Sequence, residues 1–180
     1  MTDNELQQKR LVADAIDIGI YVAIFVALRI VGGIGSFIVA RVASDHSFVA
    51  MTYVSRIVDF LTALLGLAYM LGRDLLAGGR SLGKQLTDIR VLTAAGRPIE
   101  AMDSVKRNAI FALGALLNMV RATFQLIPCL GDAVACLMLP LFILSVFIGI
   151  AAVIVEIVKI TTDAAGVRFG DQWASTRVVR

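Results

Sequence analysis

Long apolar segments, separated by polar connections, dominate the sequence. Four of them can be delimited, at residues 11–31, 49–72, 108–127 and 133–158. Each is close to the roughly 20 residues that a helix needs to cross a bilayer. The pattern therefore predicts an all-α membrane protein, a bundle of about four transmembrane helices that occupies residues 1–180 as a single domain.

The composition supports this class. The chain has 180 residues, of which 58% are hydrophobic and only 17% are charged. A soluble domain carries about 25% charged residues and about 45–50% apolar ones. A soluble fold, a disordered chain and a disulfide scaffold are thereby excluded, and the lipid bilayer is the expected surrounding.

Three glycines near the end of the first apolar segment predict a break in its helix. They are Gly32, Gly33 and Gly35, and residues 34–42 would then lie on the outer membrane surface or dip into it. A single longer, tilted helix is the alternative.

The 73–107 connection has its own local pattern. Polar and apolar residues alternate over 88–93, and Gly96 and Pro98 follow as turn residues. This alternation predicts a short β-hairpin that lies against the membrane surface.

The distribution of basic residues orients the spans. The 73–107 loop contains seven Lys and Arg residues and the 159–180 tail contains four, whereas Arg41 is the clear cation in the connection after the first span. By the positive-inside rule, both termini and the 73–107 loop are cytoplasmic. Asp45 and the 128–132 turn are then outside.

Charged side chains interrupt the first span. Arg10, Asp14 and Asp17 have the spacing i, i+4 and i+7, which places them on one helical face. An ionisable group at the bilayer centre costs at least about 2.5–3.5 kcal/mol, so each needs a partner, and Arg10 is the nearest for both carboxylates. Two interpretations stay open: a structural ion pair that reaches the membrane interface, or a carboxylate that lines a polar cavity.

The opposite face of the same helix carries only small residues. They recur at intervals of four, as Ala15, Gly19, Ala23 and Ala27. Such a small-residue ladder lets two backbones approach closely and predicts helix packing.

A second set of charges lies deeper in the predicted bundle. Asp59 follows Arg56 at i+3, and both Asp59 and Arg121 are about 20 Å from the cytoplasmic ends of their helices. Asp59 and Arg121 can therefore pair across helices, with Asn118 and Gln125 one turn away from Arg121. Carboxylates at several depths suit a proton or cation path and also suit a structural network. We expect Asp59 to be mainly structural and Asp17 to be functional.

Other chemistry is not predicted. Residues 78–85 have the glycine and lysine spacing of a phosphate-binding loop, but Gln85 replaces the required Ser or Thr, and a membrane span precedes them instead of a strand. We therefore expect no nucleotide there, and place Lys84 near lipid phosphates or a helix C-terminus. No cofactor, metal, nucleic-acid or catalytic set is expected, since His46 and the two cysteines stand without suitable neighbours, and the protein is not expected to be an enzyme.

Several motifs resemble the RDD family of membrane proteins. The similar segments are 10–17, 80–84, 89–91, Gly96, 107–108 and 168–179. The resemblance implies a multi-pass helical protein of the bacterial cytoplasmic membrane that takes part in transport. It also marks Arg10, Asp17 and Asp171 as signature positions, and it implies no particular substrate.

Two functions therefore compete. In the first, the protein transports an ion or small solute, as a homo-oligomer, with buried carboxylates as coupling groups. In the second, it is a non-catalytic accessory subunit of a larger membrane complex and docks through the small-residue ladder and the basic hairpin. The resemblance favours transport slightly.

Overall fold

A computed structural model describes residues 3–42, 47–127, 135–163 and 166–179 of the chain. Asp45, His46 and the 128–132 turn with Cys129, on which several expectations rest, lie outside these described residues.

The first helix is continuous. Helix α1 covers Asp3–Val42, so the predicted break at the glycines is wrong and the longer helix is correct. A glycine inside a helix costs about 1 kcal/mol relative to alanine. A broken helix in a bilayer leaves backbone groups unpaired at several kcal/mol each, so the helix continues. Gly32 is buried where α1 crosses the next helix, and a side chain there would overlap Val58.

Two further helices are long and apolar enough to cross a membrane. Helix α2 covers Ser47–Gly72, and helix α6 covers Ala135–Thr162. Together with α1 they are the three candidate spans that the described residues contain. A 3₁₀ turn at Arg73–Leu75 follows α2 directly.

The fourth candidate span is a bent pair of helices. Helix α4 covers Ala101–Asn108 and helix α5 covers Leu113–Leu126, with an angle of 96° between them. The predicted segment 108–127 therefore begins too early, because Asn108 still belongs to α4. Its side chain is bonded to Asp74 and to the Ser104 carbonyl oxygen, and these bonds hold α4 at the end of the bundle.

Charged groups are buried inside the bundle, and many large apolar side chains lie on its outer surface. Helix α1 packs on α2, α2 on α5 and α5 on α6, whereas α1 and α6 have few contacts. Large apolar side chains such as Val31, Phe37 and Phe147 are at least 60% exposed. Such a surface suits lipid rather than water, and the all-α membrane bundle predicted from the sequence is confirmed.

The small-residue ladder of α1 lies on this outer surface. Ala15, Gly19, Ala23 and Ala27 are all exposed, and a side chain added at Gly19 would meet nothing within 4 Å. The ladder therefore packs against none of the described helices of this chain, so the predicted packing is not found within it. The opposite face, with Asp14 and Asp17, is buried in the bundle.

A small sheet joins the loop to the tail. A short helix α3 covers Leu82–Leu86, strand β1 covers Arg90–Thr93, helix α7 covers Phe169–Ala174 and strand β2 covers Thr176–Val179. β1 and β2 pair antiparallel, with Arg90 opposite Val179 and Thr93 opposite Thr176.

Strand β1 lies within the segment 88–93, where the alternation predicted a strand. The prediction that this strand pairs, as a hairpin, with the segment directly after it is wrong. The chain does turn back after β1, where Pro98 forms an isolated bridge with Leu92. The full ladder is instead made with the tail, because the alternating Thr176–Val179 segment offers a strand of matching length. The N-terminal part of α1, the 73–107 loop and the tail thus meet at one end of the bundle.

Candidate functional site

Ten charged side chains are buried together at that end of the bundle. None is more than 7% exposed. We call this set the helix-end cluster; its members are Arg10, Asp14, Asp17, Arg73, Asp74, Lys84, Arg107, Glu156, Arg168 and Asp171. Five are basic and five acidic, so their formal charges balance.

Asp17 fixes the 81–84 segment against α1. Its Oδ2 accepts from Ser81 Oγ at 2.5 Å, and its Oδ1 accepts from the Gly83 backbone N–H at 2.8 Å. Arg73 and Lys84 approach the same carboxylate at 3.7 and 4.0 Å. Gly83 is needed here, since a side chain would overlap the Ala13 carbonyl group. All of these contacts position segments of the chain, and Asp17 is 0% exposed.

Arg10 does not pair with the carboxylates of its own helix, and that prediction is wrong. It donates to Asp171 and to the Gly166 carbonyl oxygen in the tail. A basic residue that precedes an acidic one at i+4 has the less favourable orientation on a helix. Arg10 is 5% exposed and is therefore buried in protein at this position.

Asp14 and Asp171 join the tail to the rest of the cluster. Asp14 accepts from Arg168 at 3.1 Å and from Arg73 at 3.4 Å. Asp171 Oδ1 lies 3.1 Å from Arg107 Nη2 and 3.8 Å from Arg168 Nε. The tail therefore contributes one cation and one anion that other segments need.

Asp74 and its neighbours were missed as site residues. Lys84 Nζ donates to Asp74 at 2.5 Å, Arg107 Nε lies 3.2 Å from Asp74, and Asn108 donates to it at 3.1 Å. Lys84 is 2% exposed and pairs with Asp74, which follows the C-terminal end of α2, so of its two predicted positions the one near a helix C-terminus is correct and the one near lipid phosphates is wrong. An aspartate two residues after the end of an apolar segment was the sequence signal that could have revealed Asp74.

Burial and neighbouring charges set the pKa values in the loop and tail. Burial lowers the pKa of Lys84, because desolvation disfavours the ammonium form, and Asp74 opposes this shift. Burial would raise the pKa of Asp171, but Arg107, Arg168 and Arg10 outweigh it and lower that pKa to about 2. Burial opposes the charge of Arg168 too, but Asp14 and Asp171 raise its pKa above the usual value.

Glu156 ties the end of α6 to α7. It is 0% exposed, and its Oε1 accepts from the Gly170 backbone N–H at 3.2 Å. A side chain on Gly170 would overlap the Arg107 carbonyl group, so the glycine allows α7 to approach α4. The helix-end cluster as a whole fastens α1, the loop, α6 and the tail together.

A second, smaller group of charges lies deeper in the bundle. Asp59 on α2 accepts from Arg29 on α1, and its Oδ2 lies 3.9 Å from Arg121 Nη2 on α5. The structure thus brings Asp59 and Arg121 together, as expected from the sequence, although α5 begins at Leu113, so that Arg121 is eight residues, about 12 Å, from the start of its helix. Arg29, which was not expected as a partner, completes the group. We call these three residues the mid-membrane triad.

The triad is less enclosed than the helix-end cluster. The side chains of Arg29 and Asp59 are 35% and 19% exposed, and Arg121 is 6% exposed. Arg121 also donates to Asn118 Oδ1 at 3.1 Å and to Gln125 Oε1 at 2.9 Å. The triad carries two positive charges and one negative charge.

A cavity of ≈ 350 Å³ lies between the two charged groups. Its wall contains Phe111 near the helix-end cluster and Phe25 and Phe142 near the triad, together with Asn118 and Ser145. Arginine side chains lie over these rings, in cation–π contacts with distances of 5.0–5.4 Å to the ring centroids. The stacked pairs are Arg73 and Arg168 on Phe111, Arg29 on Phe25, and Arg121 on Phe142.

Metal coordination has no candidate in the described part of the chain. No group of three or more His, Cys, Asp or Glu side chains there is arranged to hold an ion. The carboxylates that do lie close together are each engaged with Arg or Lys.

These features define a multi-pass, all-α membrane protein whose helix ends are joined through buried ion pairs. The sequence also shows the family. The chain belongs to the RDD family, whose model matches residues 7–175. No curated protein and no solved structure matches it. The positions that the resemblance marked, Arg10, Asp17 and Asp171, all belong to the helix-end cluster.

Proposed function

We propose that this RDD-family protein is a non-catalytic transporter of an ion or small solute in the bacterial cytoplasmic membrane. The observation that carries the proposal is the cavity, which lies within the membrane bundle and has a charged group at each end. Solute sites of transporters lie near the bilayer midplane and are entered alternately from the two sides. The helix-end cluster then faces the cytoplasm, as do both termini.

Asp59 is the carboxylate best suited to couple transport to another ion. It is partly exposed, and it has two arginine partners on two other helices. A change in its protonation would release Arg29 or Arg121 and so change the packing of α1 or α5 on α2. Asp14, Asp17 and Asp171 are held by contacts to several segments, and they serve as the fixed frame.

The transport test uses proteoliposomes with a pH-sensitive dye inside. Sodium, potassium and decanesulfonate are applied in turn, and a dye response to at least one of them is expected with the native protein. Asp59→Asn should abolish this response in a folded protein. Val158→Phe is the matched control, because Val158 is 52% exposed on α6 and does not line the cavity. Responses equal to those of empty vesicles for all three solutes would contradict the proposal.

A second function is favoured by the exposed small-residue ladder. Ala15, Gly19, Ala23 and Ala27 form a narrow strip on the outside of α1 that fits another membrane helix closely. A second copy of the chain on this strip would give the oligomer expected for a transporter with few spans. A larger partner would instead make the protein an accessory subunit.

Purification in mild detergent separates these two cases. A homo-oligomer, disrupted by Gly19→Leu, supports the transporter. Larger proteins that co-purify in fixed proportion, and are lost with Gly19→Leu, support the accessory subunit.

A further inference from the structure

The chemistry of the cavity points to the class of molecule that it binds. Most of its wall is apolar, and Tyr21, Phe25, Phe111 and Phe142 supply the aromatic part. An apolar wall with a few placed polar groups is the usual make-up of a small-molecule site. The polar groups therefore decide what the ligand must carry.

Asn118 supplies an unused donor at one side of the cavity. Its Oδ1 accepts from Arg121 Nε, and among the hydrogen bonds of the described residues none uses its Nδ2. Because the amide is held in this orientation by Arg121, the Nδ2 donor is available to a ligand oxygen. Asn118 is 7% exposed, so the donor is shielded from bulk solvent.

Arg121 adds positive charge behind this donor. Its Nη2 is buried and has no hydrogen-bond partner among the described residues, and Asp59 at 3.9 Å is too far to provide one. The mid-membrane triad contains Arg29 and Arg121 against Asp59 alone. An anion near Asn118 would balance the remaining positive charge, whereas a cation would be repelled.

The size and the opening of the cavity suit one alkyl chain. A cavity of 150 Å³ holds one benzene ring, so by proportion ≈ 350 Å³ takes roughly 14 non-hydrogen atoms. Val146 and Ile150 line the cavity and are 44% and 52% exposed on the outer surface of α6. The cavity thus opens toward the lipid, and an amphiphile can enter sideways.

We propose that the cavity binds a single-chain lipophilic anion, with its acidic head at the Asn118 amide, in the positive field of Arg121 behind that amide, and its chain among the aromatic rings. The inference that this anion is the transported solute rests on the proposed function. Binding of the anion to the cavity is measured separately, without transport. A phospholipid of the bilayer is not the expected ligand. Its phosphate lies at the membrane surface, whereas Asp59 is thirteen residues, about 20 Å, from the end of α2.

The test measures equilibrium binding of radiolabelled decanesulfonate to the purified protein in lipid nanodiscs. Decanesulfonate has a permanent charge and the expected size, and decanol is its neutral competitor. We expect saturable binding, with decanol at least tenfold weaker as a competitor than unlabelled decanesulfonate. Equal competition by decanol would show that the cavity only accepts an alkyl chain, and it would overturn the proposal.

Asn118→Asp is the decisive variant. The new carboxylate still accepts from Arg121, so the fold is retained, but the donor is lost and a negative charge faces the ligand. Decanesulfonate binding should fall at least tenfold. Unchanged binding in a folded Asn118→Asp protein would overturn the proposal.

Val146→Phe tests the cavity independently of charge. Val146 lines the cavity and is 44% exposed, so a larger ring is tolerated there and takes up part of the cavity volume that the alkyl chain would occupy. Binding should fall as strongly as in Asn118→Asp, and the control Val158→Phe should bind normally. If Val146→Phe binds normally, the ligand does not lie in this cavity and the proposal fails. Binding by the native protein without any flux in proteoliposomes would leave the site intact and refute only transport.

Discussion

Asp17 and Asp59 are both aspartates on long membrane helices, but their surroundings differ. Asp17 is 0% exposed and is held by Ser81, Gly83, Arg73 and Lys84, which come from outside its own helix. Asp59 is 19% exposed, and its charged neighbours are two arginines that it shares with no other carboxylate of the described residues.

This difference distinguishes a fastening group, a carboxylate that holds segments of the chain together, from a carboxylate whose contacts can change during function. Removing one member of a fully buried ion network leaves several partners uncompensated, so such a network holds a single arrangement. A partly exposed carboxylate between two cations can lose one contact and keep the other. The expectation that Asp17 is functional and Asp59 structural is therefore reversed in our proposal.

Asp17→Asn is the variant for which this comparison predicts the largest loss of stability. The variant leaves Arg73 and Lys84 without one of their buried anions, and we expect a loss of about 3–5 kcal/mol in the free energy of unfolding. Folded yield and thermal unfolding in detergent measure it.

Asp163→Asn is the control for that variant. Asp163 forms a half-buried i, i+4 pair with Lys159 at 2.8 Å, so the expected loss is below about 1 kcal/mol. A loss of equal size in both variants would contradict the special role of the helix-end cluster.

Acid pH tests the same cluster through Asp171. Its folded-state pKa of about 2 lies below 3.8, the usual value of an aspartate side chain. The lowered pKa stabilises the folded state at pH values above about 4, and this stabilisation, roughly 2 kcal/mol, is lost as the pH falls from about 4 toward 2. Unfolding of Asp171→Asn should lack this part of the pH dependence. An identical acid profile in both proteins would refute the ion pairing of Asp171.

Asp59→Asn should have a smaller effect on stability. The carboxylate is partly exposed, so the loss should lie between that of an exposed and that of a buried pair, at about 1–2 kcal/mol. The measurement is the same thermal unfolding in detergent. A loss as large as that of Asp17→Asn would mean that the mid-membrane triad is also a fastening group.

Cysteine labelling from the two sides of the membrane tests which side the helix-end cluster faces. The substitution that it needs should leave the free energy of unfolding unchanged. Arg97 is exposed in the turn after β1. In a chain whose native cysteines are replaced by alanine, Arg97→Cys should react with an impermeant reagent from the cytoplasmic side. Reaction from the outside in intact cells would invert the topology.

The sequence was sufficient for the bundle and for one of the two charged groups. Apolar segment length indicated the spans, and the positions of Asp59 and Arg121 inside two apolar segments predicted that they pair across helices. The pairing of Arg10 was not accessible in this way, because its partner Asp171 is 161 residues away and only the tertiary fold brings them together. The continuity of α1 was missed for another reason: the glycines have a local preference that the bilayer environment overrides.

The pairing of β1 with β2 has a consequence for biosynthesis. Residues 166–179 leave the ribosome after every other member of the helix-end cluster, and they bring Arg168 and Asp171 with them. Until then Arg10 and Arg107 lack their common anion, and Asp14 lacks one of its cations. Contacts of such long sequence separation form slowly, since the loop must close before they contribute. The tail thus completes the helix-end cluster in a late step of folding, and until that step the buried charges of the other segments lack these partners.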